Sequence, residues 1–362
     1  MHDRELFEKA FSPLHASPDT LTEVRKTMRN EKKTRRALGK SAVVAIAAAL
    51  TLTIAVAGGI VTLIRADVSP ADKVDDTTHH AFTDDLDATT PTVDDGKGTA
   101  VSVPDMERIP GAIQTTQRLV GQYLSKLDAE MTVDGNTIKL GTFLIDENGL
   151  GLLTYSVENP SGVSYTDVGY GECIDLPIQP ILRLRSPDEG TAMSAKCYVD
   201  KDASTDTRLQ VVLYFAAGKD FQKGDDFYFT VCDSARQPYS ISIQPQTYVP
   251  VKTMTAKNGE IVTLSALGMT IVNPDPSREI HTDEVLVNAK DGSSFAVESS
   301  SKNLMNWVIG SITGDGQVAF ENYTYVFNRL VDVNEVGSVT LTGYYYNLDG
   351  SDNDTVSLTY QP

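Results

Sequence analysis

SAVVAIAAALTLTIAVAGGIVTLI, from Ser41 to Ile64, is a run of 24 residues without a charge or a proline. A bilayer core of about 30 Å needs about 20 apolar residues in helix, and this run exceeds that length. It is read as a transmembrane helix over 41–64. A cleaved leader is the competing reading, because Ala55-Val56-Ala57 has the small-x-small form of a cleavage site. Two features count against a leader: the preceding segment is 40 residues long, and the apolar run continues through Ile60, Val61, Leu63 and Ile64.

The flanks orient the run. Arg25, Lys26, Arg29, Lys32, Lys33, Arg35, Arg36 and Lys40 precede it, and only Arg65 and Lys73 follow closely. Lysine and arginine near a span stay on the cytoplasmic side. Residues 1–40 are therefore expected to be a cytoplasmic tail, and the region after the span extracytoplasmic, in a single-pass protein of the cell membrane. The basic cluster makes the lipid bilayer a partner, through anionic headgroups. Ala55 and Gly59 form a small-xxx-small pair, which an alanine-rich run contains by chance.

Charge divides the chain in the same way. Residues 1–40 carry ten Lys/Arg against six Asp/Glu, whereas residues 66–362 carry twenty against forty-three, a net −23. Nucleic-acid binding relies on basic surfaces, so an exterior this acidic excludes it. The three cysteines, Cys173, Cys197 and Cys232, are too few for a disulfide scaffold and form no CxxC. One pair and one free thiol is the most they allow.

The tail holds two short helical patterns. Arg4 to Phe11 is closed by Ser12-Pro13. The second opens at Ser17-Pro18-Asp19, an N-cap serine with proline in the first turn. From there Leu21, Val24 and Met28 make one apolar stripe, the candidate partner-binding residues of this chain. Forty residues build no core of their own, so this stripe lies on the membrane or on a partner. Residues 65–109 are rich in Asp, Thr and Pro and are read as a disordered acidic linker. His79 and His80 lie within it at a spacing that matches no defined metal site.

Beyond the linker, Leu119, Val120, Tyr123, Leu124 and Leu127 predict a helix from Ile113 to about Ala129. The period then changes to two. Ile138, Leu140 and Leu144 lead to the turn Asp146-Glu147-Asn148-Gly149, and the chain returns from Leu150 to Val157, a hairpin pattern. Leu209, Val211, Leu213 and Phe215 alternate, as do Phe227, Phe229 and Val231, then Ile241 and Ile243. Pro245 and Pro250 bracket a boundary. A second set of strands follows, around Ile261–Leu264, Met269–Val272, Glu284–Val287 and Ser294–Val297 with Asp291-Gly292 between the last two. Val318 to Phe327, Val339 to Tyr346 and Val356 to Tyr360 complete it. The expected fold is mainly β: a helix plus a first β-sandwich over 110–250 and a second β-sandwich over 251–362. The aromatic residues of these strands are read as core.

Four stretches carry a family resemblance: LFEKAFSPLHASPDTLTEV (6–24) before the basic segment and the span, LVGQYLSKL (119–127), MTVDGNTIKLGTFLIDENGLGLLTYSVENPSGV (131–163) and FNRLVDVNEVGSVTLTG (327–343). They resemble an anti-sigma-factor-like domain-of-unknown-function family of single-pass membrane proteins from Gram-positive bacteria. The resemblance implies immunoglobulin-like extracytoplasmic domains and a short cytoplasmic tail. In better-known anti-sigma proteins a cytoplasmic domain holds a sigma factor at the membrane, which makes a sigma factor the implied partner. The His/Cys zinc motif of many such proteins is absent, since the tail has His2 and His15 but no cysteine. The resemblance carries over no catalytic or binding residue.

No GxSxG, SxxK, HExxH or P-loop is present, and no enzyme activity, cofactor or metal is expected. His281 is read as a solvated loop residue. Asp349-Gly350-Ser351-Asp352-Asn353-Asp354 offers oxygen ligands of the kind calcium takes but lacks the EF-hand continuation. Two functions remain: a membrane-anchored regulator, anti-sigma-like, with an exterior sensing region and a partner-binding tail; or an anchored module that binds a cell-wall or other envelope component without signalling.

Overall fold

Val211, Leu213 and Phe215 leave one face of the strand Arg208–Ala216, and Val212 and Tyr214 leave the other; all five are buried. A strand covered on both faces must lie between two layers. That layering organises the first half of the chain. The computed structural model describes residues 51–56, 59–83, 92–94, 100–102, 113–167, 174–175, 178–188, 190–218, 221–272, 278–299, 304–305, 307–312, 318–327, 329–347 and 354–362.

In the first module a six-stranded sheet has the order Thr51–Val56, Gly59–Arg65, Pro238–Ile243, Phe227–Cys232, Ile181–Leu184 and Thr191–Ala192. A seven-stranded sheet has the order Ser194–Thr205, Arg208–Ala216, Leu150–Glu158, Asn136–Ile145, Ser125–Asp128 and Asp67–Pro70, with Glu130–Val133 also on Asn136–Ile145. The space between them is filled by both sheets. Phe143 stacks on Phe215 at 5.4 Å and meets Phe227 edge-on at 5.5 Å, and Tyr155 meets Phe229 edge-on at 5.1 Å. Burying each such ring contributes about 1.5–3 kcal/mol, and edge-on geometry suits the ring quadrupoles. The expected hairpin is present, with Ile138 opposite Val157 and Ile145 opposite Gly151.

The second module is one ten-stranded sheet. Its order is Leu304–Met305, Ser294–Ser299, Arg278–Ala289, Val336–Asn347, Asp354–Gln361, Lys252–Ala256, Ile261–Leu264, Gly268–Val272, Val318–Val326 and Trp307–Ile312. The sheet folds over its own core, which holds Met254, Ile271, Val285, Val297, Leu341 and Tyr360. The Tyr325 hydroxyl crosses that core to donate to Glu298 at 2.7 Å. Asp291-Gly292 makes the expected turn, with Gly292 at φ 87° and its N–H on the Ala289 carbonyl. The fold is mainly β and sandwich-like, and Tyr325, Phe327 and Tyr360 are core residues as expected.

Four expectations are corrected within the described residues. The described part of the 41–64 run is not helix: Thr51–Val56 pairs with Gly59–Arg65 as an antiparallel hairpin. Gly59–Arg65 in turn pairs in parallel with Pro238–Ile243, setting Ile64 beside Ile241. No helix among the described residues is long and apolar enough to cross a membrane. Eight of the fourteen residues from Thr51 to Ile64 are β-branched and two are glycine. That composition suits strands and a turn as well as it suits a span.

The linker is the second correction. Asp67–Pro70 is a strand, Asp76–Thr83 is a helix (α1), and Thr92–Asp94 pairs with Ala100–Ser102. Val74, Thr78 and Ala81 are buried against the outer face of the seven-stranded sheet, together with Leu144, Leu152, Val212 and Tyr214. Few apolar residues suffice there because they all face one way. Third, the helix from Ile113 stops at Leu119 (α2); a 3-10 turn spans Gly121–Tyr123, and Leu127 belongs to a strand. β-Branched Val120 and then Gly121 are weak helix formers at the break. Fourth, His281 is no loop residue. It sits in Arg278–Ala289 with its ring stacked on Tyr344 at 5.1 Å and an interplanar angle of 5°.

Candidate functional site

Asp146 opens the turn between Asn136–Ile145 and Leu150–Glu158. Its Oδ1 accepts the N–H groups of Asn148 at 2.8 Å and Leu150 at 2.9 Å, the self-bonded turn that aspartate favours. Gly149 has φ 84°, and a Cβ there would lie 2.9 Å from the Phe221 ring. Glycine is therefore required twice at this position, for conformation and for space. The chain after the first module is lashed to the same turn: Val249 N–H donates to the Ile145 carbonyl at 2.8 Å, and Glu147 N–H to the Val249 carbonyl at 3.1 Å.

The turn is also the joint between the modules. Asn148 Nδ2 donates to Thr263 Oγ1 at 2.7 Å. The Ser265 hydroxyl bonds the Asp146 carboxylate. Leu150 packs so closely on Gly268 that a Cβ there would lie 2.6 Å from Leu150 Cδ2. Val249, Ala266, Leu267 and Val326 continue the apolar seam begun by Leu144 and Leu152. Asp146 is 2% exposed, and burial raises its pKa to about 6 against the opposing pull of Ser265 and the two backbone N–H groups. Glu147 is shifted down, chiefly by its hydrogen bond from Lys223, and its second oxygen accepts Val251 N–H at 3.2 Å.

A pocket of about 230 Å³ opens at this joint. Glu147, Asn148 and Phe221 line it from the first module, and Thr263, Thr270 and Thr324 from the second. Leu150, Ala216 and Val272 supply apolar wall. No lysine, arginine or histidine lines it among the described residues. The three threonines are register neighbours on adjacent strands, Thr263 beside Thr270 and Thr270 beside Thr324, and the last two share a hydroxyl bond of 3.0 Å.

Two polar clusters of the second module are bonded internally. Glu260 accepts the hydroxyls of Tyr345 and Tyr360 inside the second module, and burial and that carboxylate shift Tyr360 upward. Glu298 is bonded by Thr282 and Tyr325. No group of three or more His, Cys, Asp or Glu is placed to hold a metal among the described residues. Cys232 is an exposed thiol, and Cys197 lies 3.8 Å from the Tyr155 hydroxyl.

The candidate partner residues Leu21, Val24 and Met28 lie outside the described residues, as do Cys173 and positions 349–353 of the calcium-type loop. His79, expected within a flexible linker, is on α1 with Nδ1 3.2 Å from Thr116 Oγ1. The sequence offered Asp146–Gly149 only as a turn and left Phe221 and the threonines unmarked. The available signal was that Thr263 and Thr270 occupy the polar positions of period-two strands.

No model of a known protein family matches the chain. No curated protein matches it either. Among solved structures it is similar to "the crystal structure of the conserved domain protein from Bacillus anthracis", at 13% identity and a TM-score of 0.38, over 66% of this chain and 90% of that one.

Proposed function

We propose that this chain is a membrane-anchored regulatory protein, anti-sigma-like. Its exterior pair of immunoglobulin-like modules would sense or bind an envelope component, and its tail would engage a cytoplasmic partner through Leu21, Val24 and Met28. The observation that carries the reading is an uncharged run, preceded by a basic cluster, that passes straight into the core of the first module at Ile64. The hairpin of residues 51–65 and a span are alternative uses of one segment. With Leu63, Ile64 and Arg65 kept in the sheet, Ser41–Thr62 remains, 22 residues. As helix that is about 33 Å, enough for a core of about 30 Å.

The test is fractionation of the full chain, followed by alkaline extraction and protease protection. A span keeps the chain in the membrane pellet and shields residues 66–362 on the outer side. Release into the soluble fraction would sink the anchor. Co-purification with a sigma factor, lost on changing Leu21, Val24 and Met28 to serine, supports the regulatory role.

The second reading is an envelope-binding module in which the tail only anchors. The pocket at the joint favours it. In that case the serine changes leave function intact while variants at the pocket do not.

A further inference from the structure

The pocket is one end of a longer feature. Thr253 pairs with Thr263, Thr263 with Thr270 and Thr270 with Thr324, so four threonines form one row across four adjacent strands. Strand spacing of about 4.8 Å makes the row roughly 14 Å long. Side chains of directly paired residues share a face. The row descends: Thr253 is exposed, Thr263 and Thr270 are half-buried, and Thr324 is 8% exposed inside the pocket. Beside it on the same face lie Ile261 and Val272, register partners that are 38% and 37% exposed. Hydroxyls in a line, an apolar strip next to them and an aromatic ring, Phe221, in the pocket wall form an amphipathic track.

Its electrostatics select the ligand. Glu147 is the one ionisable group lining the pocket among the described residues, and both of its oxygens are engaged, by Lys223 and by Val251 N–H. A negative ligand finds no lysine, arginine or histidine in the lining, and it faces a region of net −23. A positive ligand would have to compete with Lys223 for Glu147. What remains is a neutral molecule rich in hydroxyls with an apolar face. Threonine hydroxyls donate and accept, Asn148 has a carboxamide oxygen and a second N–H besides the one bonded to Thr263, and a ring of C–H bonds packs on an aromatic face. We infer that this joint is a binding site for a neutral glycan chain, laid along the threonine row with its terminal ring against Phe221.

The inference rests on the proposed exterior sensing or binding role and gives that role a ligand class. Because the ligand spans strands of one module and the Glu147–Asn148 turn of the other, its occupation would stiffen the joint.

Calorimetric titration of the full-length chain with cellotetraose and tetra-N-acetylchitotetraose tests it, with an oligogalacturonate as the acidic counterpart. Binding of a neutral oligosaccharide is expected. It should weaken about fivefold or more in Thr270→Val and in Phe221→Ala, the scale of losing one neutral hydrogen bond or a ring contact. Thr253→Val, at the exposed end of the row, should weaken the tetrasaccharides while sparing glucose and N-acetylglucosamine, titrated as single-ring controls. Thr359→Val, exposed on the same sheet away from the pocket, should change nothing. The inference is overturned if neither tetrasaccharide binds, if the acidic oligomer binds as tightly, or if the row and ring variants leave affinity unchanged. Failure of the membrane reading would look different: a chain in the soluble fraction with its glycan affinity intact.

Discussion

Asn148 of the first module donates its carboxamide N–H to the Thr263 hydroxyl of the second at 2.7 Å, a direct polar bond across the joint. Asn148→Ala and Thr263→Val should each lower the stability of the described unit. In a double-mutant cycle the pair should show a coupling of about 0.5–1.5 kcal/mol. Urea unfolding followed by tryptophan fluorescence measures it. Strict additivity would mean that the bond does not tie the modules together.

Asp146 gives the joint a pH dependence. Its folded pKa, about 6, lies above the ordinary aspartate value of 3.8. Between these values the folded chain binds a proton that the unfolded chain does not, so stability rises as pH falls from 7 towards 4. At about 1.4 kcal/mol per unit, the full effect is at most about 3 kcal/mol. Asp146→Asn keeps an Oδ1 acceptor for the Asn148 and Leu150 N–H groups and should flatten the profile in that window. Glu147, shifted down by Lys223, acts in the opposite sense and at lower pH. Urea midpoints at pH 7, 6 and 5, compared for the two proteins, decide the point.

Thr142 lies between two hydroxyls, 2.7 Å from Thr78 of α1 and 2.9 Å from Thr154 of the sheet. Replacing it with valine takes this partner from the buried Thr78 hydroxyl, at a cost of about 1–3 kcal/mol, while Thr154 Oγ1 still accepts the N–H of residue 142 at 2.8 Å. Amide exchange of α1 should rise in step. An unchanged exchange rate would mean that α1 is not held by this bond.

Ile64 is 8% exposed in the first module's core. Ile64→Ala should cost about 2–4 kcal/mol through lost burial and the cavity left behind. Thermal unfolding of the full chain is the measurement. A change under about 0.5 kcal/mol, the range of an ordinary surface substitution, would place Ile64 outside the sheet.

What was legible in the sequence followed from locality. The hairpin around Asp146–Gly149 could be read because its turn and its apolar alternation lie within some twenty contiguous residues. The β character of Leu209–Phe215 could be read for the same reason. The run to Ile64 misled because branched apolar residues satisfy a span and a strand alike, and the choice depends on Pro238–Ile243, far along the chain. Val74, Thr78 and Ala81 were hidden in an acidic stretch whose average says linker, although each faces the sheet. The threonine row was illegible for a further reason. Thr253, Thr263, Thr270 and Thr324 become neighbours only through strand register, which no single stretch encodes.

The entry of the chain into the first module has a mechanical consequence. Thr51–Val56 meets Gly59–Arg65 antiparallel, so tension on Thr51 parts the hairpin pair by pair, starting where Thr51 faces Ile64. Once that strand has peeled away, tension runs along the axis of Gly59–Arg65. Its parallel partners from Tyr239 to Ser242 then resist in shear, all at once rather than in turn. Immediately beyond, Ala66 N–H holds the Ser242 carbonyl at 2.9 Å, and the chain crosses to the opposite sheet at Asp67. A tug from the N-terminal side thus meets a soft catch followed by a hard one, and both sheets feel the second.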